Sequence, residues 1–165
     1  QVTDTWQQAA RHILAYLDQG LDVAFPTLGD PAFYSTGFYV QASLQTMRPE
    51  LIVSIIPGIS AIACCCATAG LPAGLGDDMV SVVPAAFADD RLRQILTLTD
   101  SVILMKVHRT MGRLIRILEE LDLINQAVLI ERCGLDGEKI YPNIRKVKNP
   151  HYFSTILVRK QSIVG

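Results

Sequence analysis

The sequence contains neither a Gly-x-Gly-x-x-Gly fingerprint nor a Walker-type Gly-Lys-Ser/Thr loop. An ordinary dinucleotide site and a P-loop nucleotide hydrolase are therefore unexpected, because both use such glycines to bring backbone amides onto phosphates. Charge of either sign is scarce. Fifteen basic and 16 acidic residues are interspersed along 165 residues, leaving a net charge of −1. With no basic stripe or tail, neither nucleic acid nor an anionic membrane surface is an expected partner. No apolar run approaches the roughly 18 residues of a membrane span; the longest, residues 59–69, is interrupted by Ser60 and Thr68. Nor is there a basic start followed by an apolar core and a small-residue cleavage site, so the expected location is cytoplasmic. Cysteines number only four, with Cys64, Cys65 and Cys66 in a row and Cys133 far away. That is a poor disulfide framework and fits a reducing compartment. Adjacent helical residues splay about 100° apart, so the run is no metal site by spacing; packing of small side chains is the leading reading. His12, His108 and His151 have no Cys or carboxylate partners at ligand spacing. No metal is expected, and no Ser/His/Asp triad assembles from the sequence.

What is present is a core. Half of the chain is hydrophobic and 19% is charged, which argues against disorder and allows one domain or two small ones. Gln1 is not an initiator and the chain opens directly into a helical pattern, as expected for a piece of a longer protein. Trp6, Ala9, Ala10, Ile13, Leu14 and Leu17 recur at helical spacing behind Asp4, and Gly20 ends the run. Residues 21–26 read as a buried strand, 27–36 as a loop, 37–47 as a helix and 51–56 as a β-branched strand. Pro57 to Ser60 turns into a helix that reaches Ala69. This alternation of helix and strand predicts a parallel sheet in the first half. The glycine- and aspartate-rich loop 71–78 is the expected boundary, with one domain over 1–75 and another over 76–165. Beyond it the pattern predicts strands at 79–83, 101–107, 127–131 and 152–159, helices at 89–97 and 110–121, and a polar stretch at 139–148. Closely spaced strands near the end predict a mixed sheet.

Two loops stand out. Leu28-Gly29-Asp30-Pro31 follows the first strand-like run, and Pro57-Gly58-Ile59-Ser60-Ala61 follows the second. In open α/β sheets ligands bind where strands end. Gly29 permits close backbone approach, Asp30 offers acceptors, and Ser35 and Thr36 add short polar groups. Each loop alone is also consistent with an ordinary turn or a capped helix; two of them after neighbouring strands make a shared crevice more credible. Cys133 beside Gly134 reads equally well as pocket lining or filler. Glu119-Glu120 reads as a solvated face, and Arg145, Lys146 and Lys148 as a small basic cluster.

Five segments, DVAFPTLGDPAFYST, SIIPGISAIACCCATAGLP, VILMKV, LIERCGLDGEKIY and YFSTILVRK, occur in an order and spacing that resemble the class III S-adenosylmethionine-dependent tetrapyrrole (corrin/porphyrin) methylases. The first is closest to the branch acting at C20 of precorrin-2. The resemblance implies two α/β domains with S-adenosylmethionine in the interdomain cleft, S-adenosylhomocysteine as product, a tetrapyrrole substrate and a homodimer. It implies methylation of precorrin-2 to precorrin-3 in cobalamin (vitamin B12) biosynthesis. By position it assigns Leu28, Gly29, Asp30, Phe33, Ser35, Thr36, Ser60, Ala61, Met105, Lys106, Cys133, Gly134 and Thr155 to the cofactor. Arg109, Arg145 and Lys148 are candidates for substrate carboxylates, and no catalytic base is assigned. The family opens with a strand and a GVGPGDP-like loop that have no counterpart here; a protein without them would have a first sheet lacking a central strand, whereas one that carries them upstream keeps the reading intact. Pro26 also departs from the pattern. The alternatives are a cobalt-precorrin-2 or other tetrapyrrole methylase, a truncated and silent ligand-binding or dimerisation domain, and a flavodoxin-like module.

Overall fold

The computed structural model describes residues 2–161. The chain divides into two compact units, Gln1–Ser60 and Ala61–Gly165. This division falls earlier than the expected boundary after residue 75, because the helix after Ser60 packs on the sheet of the second unit. Residue 1 and residues 162–165 of the expected domain ranges lie outside the described residues.

The first unit contains α1 (Val2–Leu17) and α2 (Gly37–Met47). Asp4 sits in the first turn of α1, where a carboxylate complements the helix dipole. The apolar spacing of α1 brings Ala10 against Val40 and Leu44 of α2, with Trp6, Ala9, Ile13, Leu14 and Leu51 partly buried around them. The Trp6 and Tyr39 rings stack with centroids 6.0 Å apart. This is a small core.

The predicted parallel sheet of this half is not formed. Residues 21–26 and 51–56 are in no strand. Among the described residues, no backbone hydrogen bond joins the segment 22–29 to 52–57 or either to a third segment. A groove of about 760 Å³ lies along both segments, lined by Val23, Phe25, Ile52 and Val53 among others. A strand needs a hydrogen-bonding neighbour about 4.8 Å away, and across this groove the two segments provide none for each other. Two of their β-branched residues stay in solvent: Ile52 is 90% exposed and Ile56 81%.

The second unit begins with α3 (Ala61–Ala69), followed by β1 (Val80–Pro84), α4 (Asp89–Leu98), β2 (Ser101–Met105), α5 (Met111–Glu120), β3 (Ala127–Glu131), β4 (Lys139–Tyr141) and β5 (Ser154–Arg159). Short 3₁₀ turns precede α5, β3 and the final stretch. The five strands form one mixed sheet in the order β1-β2-β5-β3-β4. Only β1 and β2 pair in parallel; β5 runs antiparallel between β2 and β3, and β4 antiparallel on β3. Period-2 alternation splits the apolar residues between two faces. Val102, Leu104, Leu129, Ile156 and Val158 meet Leu92 and Leu96 of α4 and Leu114, Ile117 and Leu118 of α5. Ile103, Ile130 and Leu157 meet Cys65, Ile62 and Cys66 of α3. Covering both faces explains why these strands read as continuous apolar runs.

One end of the sheet carries a buried ion pair. Arg159 at the end of β5 pairs with Asp78 at 2.8 Å, and both side chains are nearly buried. Asp78 also accepts the Leu75 N–H at 2.9 Å. That amide foremost, and then the guanidinium, holds the Asp78 carboxyl below the usual carboxylate range.

Two outcomes are expected. In hydrogen exchange followed by mass spectrometry, amides of 22–27 and 52–57 should exchange at close to peptide rates while those of β2, β3 and β5 are protected; strong protection of the first set would contradict the unpaired description. Because the Asp78 pKa is lowered on folding, its contribution is present above the unfolded value of about 3.9 and is lost as pH falls through the lower native value. Urea midpoints of Asp78→Asn should therefore lie below those of the parent at pH 7 and converge on them toward pH 2; parallel pH profiles would remove this role.

Candidate functional site

In the first unit the two loops singled out by the sequence are tied together by one carboxylate. Asp30 Oδ1 accepts the N–H of Ala32 at 2.7 Å, closing an Asx-type turn over Pro31. Asp30 Oδ2 accepts the N–H of Gly58 at 3.0 Å, 28 residues away. The Phe33 N–H donates to the Asp30 carbonyl at 3.2 Å. Gly29 and Tyr34 take positive φ, +83° and +56°, to turn the chain on either side. A Cβ on Gly58 would overlap the carbonyl oxygen of Gly29, so the approach of the two backbones requires glycine at that point. Ser35 Oγ accepts the Gly37 N–H at 3.0 Å at the entrance to α2. Thr36 occupies the N-cap position without a side-chain capping bond. Leu28, 69% exposed, and Phe33, 47% exposed, present bare apolar surface. Ser60 is half-buried and directly precedes α3.

The remaining predicted residues belong to the second unit. Ala61 opens α3 and is exposed. The others gather at one end of the sheet, because β5 runs antiparallel to β2 and β3. Met105, the last residue of β2, is the cross-strand partner of Thr155 near the start of β5, and Thr155 also opposes Ile130 of β3. Thr155 is only 5% exposed and hydrogen-bonds with Cys65 of α3. Lys106 follows in the left-handed region at φ +59°. Cys133 and Gly134 leave the other strand, β3, at the same end; Gly134 has φ +71° and its N–H donates to Glu138 Oε2 at 2.7 Å. His108 lies in a 3₁₀ turn, with its ring edge-on to Tyr152 at 5.0 Å. Buried Glu131 accepts the His151 N–H at 2.8 Å and the Tyr141 hydroxyl at 3.2 Å. Lost hydration and this carboxylate push the Tyr141 phenol up.

The Arg145 guanidinium pairs with Glu119 at 2.8 Å and with Asn125 at 3.1 Å on the surface, while Arg109 and Lys148 are exposed. Gly58 and Glu138 were not singled out as site residues; each sits inside a motif segment, but its partner lies elsewhere in the chain or depends on a loop conformation. Among the described residues, no group of three or more His, Cys, Asp or Glu side chains is placed to hold a metal ion, and no helix is long and apolar enough to cross a membrane.

A mixed α/β sheet with glycine-hinged loops defines a class that the comparisons make specific. The profile of the Tetrapyrrole (Corrin/Porphyrin) Methylases matches residues 1–147. The chain belongs to this family. It is 34% identical to a precorrin-2 C(20)-methyltransferase of Sinorhizobium sp over 96% of its own length and 64% of the relative's. It is 30% identical to the cobalt-precorrin-2 C(20)-methyltransferase of Salmonella typhimurium, over 94% of this chain and 66% of that protein. The chain thus spans slightly under two thirds of the length of these relatives. Among solved structures, the methyltransferase CobJ superposes with a TM-score of 0.72 at 20% identity, over 93% of this chain and 70% of CobJ. A uroporphyrin-III C-methyl transferase from Thermus thermophilus, complexed with S-adenyl homocysteine, gives 0.63 at 15% identity over 93% and 73%. These likenesses show a shared fold.

Gly58→Ala is expected to push the two loops apart and break the Asp30 tie, costing about 0.5–1.5 kcal/mol, the net worth of one solvent-accessible hydrogen bond. Chemical denaturation and the Gly58 amide shift would report it; an unchanged midpoint would show that the loops are not coupled.

Proposed function

We propose that this chain carries most of an S-adenosylmethionine-dependent methyltransferase acting on C20 of precorrin-2 in cobalamin biosynthesis. The observation that carries this reading is the Asp30 tie. It holds together, in one unit, the two motif loops that the family resemblance assigns to the cofactor. The likeness to relatives named for C(20) methylation supports the choice of carbon. The name of the Salmonella typhimurium relative supports cobalt-precorrin-2 as the second reading. A homodimer in the cytoplasm completes the proposal.

The residues present fit such a cofactor. Leu28 and Phe33 offer apolar faces, the Gly29 backbone is approachable, and half-buried Ser60 adds a hydroxyl. When bound, S-adenosylmethionine supplies a sulfonium methyl that is already activated for displacement. The protein's task is then to position the partners, and little acid–base machinery is required. Both Asp30 oxygens are engaged by backbone amides, so Asp30 is a positioning residue that sets the loop rather than a direct ligand. In the second unit, Met105, Cys133 and Gly134 border one sheet end where a flat ligand meets small and apolar side chains. Exposed Arg109 and Lys148 supply charge for substrate carboxylates.

Calorimetric titration with S-adenosylhomocysteine tests the proposal. One-to-one micromolar binding is expected, weakened at least tenfold by Asp30→Ala with the fold intact by circular dichroism. Absence of binding both to this chain and to a version extended upstream would overturn the reading, and unchanged affinity in Asp30→Ala would remove that residue from the site.

A further inference from the structure

We propose that Cys64 and Cys133 form a dithiol site on the second unit, reversibly oxidised to a disulfide by low-molecular-weight disulfides of the glutathione type. All four cysteines are free thiols. Cys133 Sγ, in the loop after β3, hydrogen-bonds with Cys64 Sγ in the first turn of α3 at 2.7 Å, across 69 residues of sequence. The loop that carries Cys133 is held in place: the Gly134 N–H binds Glu138 Oε2 at 2.7 Å, and Thr68 Oγ1 of α3 lies 3.4 Å from both Cys133 Sγ and Glu138 Oε2. Gly134 leaves room for the sulfur, since a Cβ there would stand 3.3 Å from Cys64 Sγ. The two sulfurs, 2.7 Å apart, stand close to the bonded distance of about 2.05 Å.

Cys133 packs against the same cluster as the other two cysteines, but the sulfur it meets at 2.7 Å is that of Cys64. Cys65 is 1% exposed, within the cluster of Ile103, Ile130 and Leu157, and Cys66 packs against that cluster. Cys64 and Cys133 are half-exposed and reachable by a small oxidant. Burial pushes the Cys65 thiol up to about 12, and the hydrogen bond with Cys133 and then burial raise Cys64 to about 11. Thiolates, not thiols, attack disulfides. In this proposal Cys133, on its loop, enters first and Cys64, on the helix, resolves.

The exchange balances in two steps. Cys133 loses its proton to solvent, and its thiolate attacks one sulfur of the oxidant. A mixed disulfide forms as the oxidant's S–S bond breaks and one glutathione thiolate leaves. Cys64 then loses its proton and attacks Cys133 Sγ, forming the internal S–S bond and expelling the second glutathione. The two cysteines are oxidised by two electrons, and one glutathione disulfide is reduced to two thiols. Disulfides in a reducing compartment are characteristically transient or redox-sensing, and this one staples α3 to the loop at the sheet end. Its bearing on ligand binding rests on the function proposed above; its formation does not.

The test is intact-mass and non-reducing peptide mapping of the reduced chain after exposure to glutathione disulfide. The expected product has lost two hydrogens, joins Cys64 to Cys133, leaves two of the four thiols open to iodoacetamide, and reverts with dithiothreitol. Cys64→Ser should instead retain one glutathione on Cys133. Alkylation of all four thiols after exposure, a link through Cys65 or Cys66, or a link between chains would each overturn the proposal. The parent chain's map decides the matter even if the variant fails to fold.

Discussion

Backbone pairing of a middle strand is the constraint on which this structure turns. In the second unit β5 fills that place. It lies antiparallel between β2 and β3, and all six of its residues are buried. Every peptide group it removes from water must find a partner, and β2 and β3 supply partners on both sides. With that ladder made, apolar side chains go to both faces, and α3, α4 and α5 have a surface to cover. In the first unit no described segment plays that part. Two extended runs flank a groove, and their isoleucines stay in water despite a sequence suited to burial.

The same contrast organises the site. At the sheet end of the second unit, Met105, Thr155 and Cys133 gather because antiparallel β5 returns its start to where β2 and β3 finish. In the first unit nothing so rigid is available, and a single carboxylate takes over: Asp30 joins loops 28 residues apart by accepting an amide from each. The tie holds only because residue 58 has no Cβ.

The elements of the second unit were legible as a sequence because burial on both faces writes long apolar runs, and because α5 shows its buried stripe at Met111, Leu114, Ile117 and Leu118. Helices 37–47 and 61–69 were legible for related reasons, through glycine and proline at their ends. The runs at 21–26 and 51–56 carry the same apolar, β-branched signal, yet form no strand. Propensity reports what a segment suits, while a strand also needs a neighbour at ladder distance. Gly74, Gly76 and the two aspartates mark a loop, while α3, which precedes that loop, packs on the later sheet.

The sequence alone determined the family, the mixed character of the sheet and the motif loops, since these depend on local periodicity, turn chemistry and the order of short segments. Tertiary structure alone decided which strands pair, that Arg145 pairs with Glu119, that Asp30 accepts amides from both loops, and that Cys133 meets Cys64. Each of these joins residues distant in the chain, and such a contact exists only after loop closure has been offset by burial and pairing elsewhere.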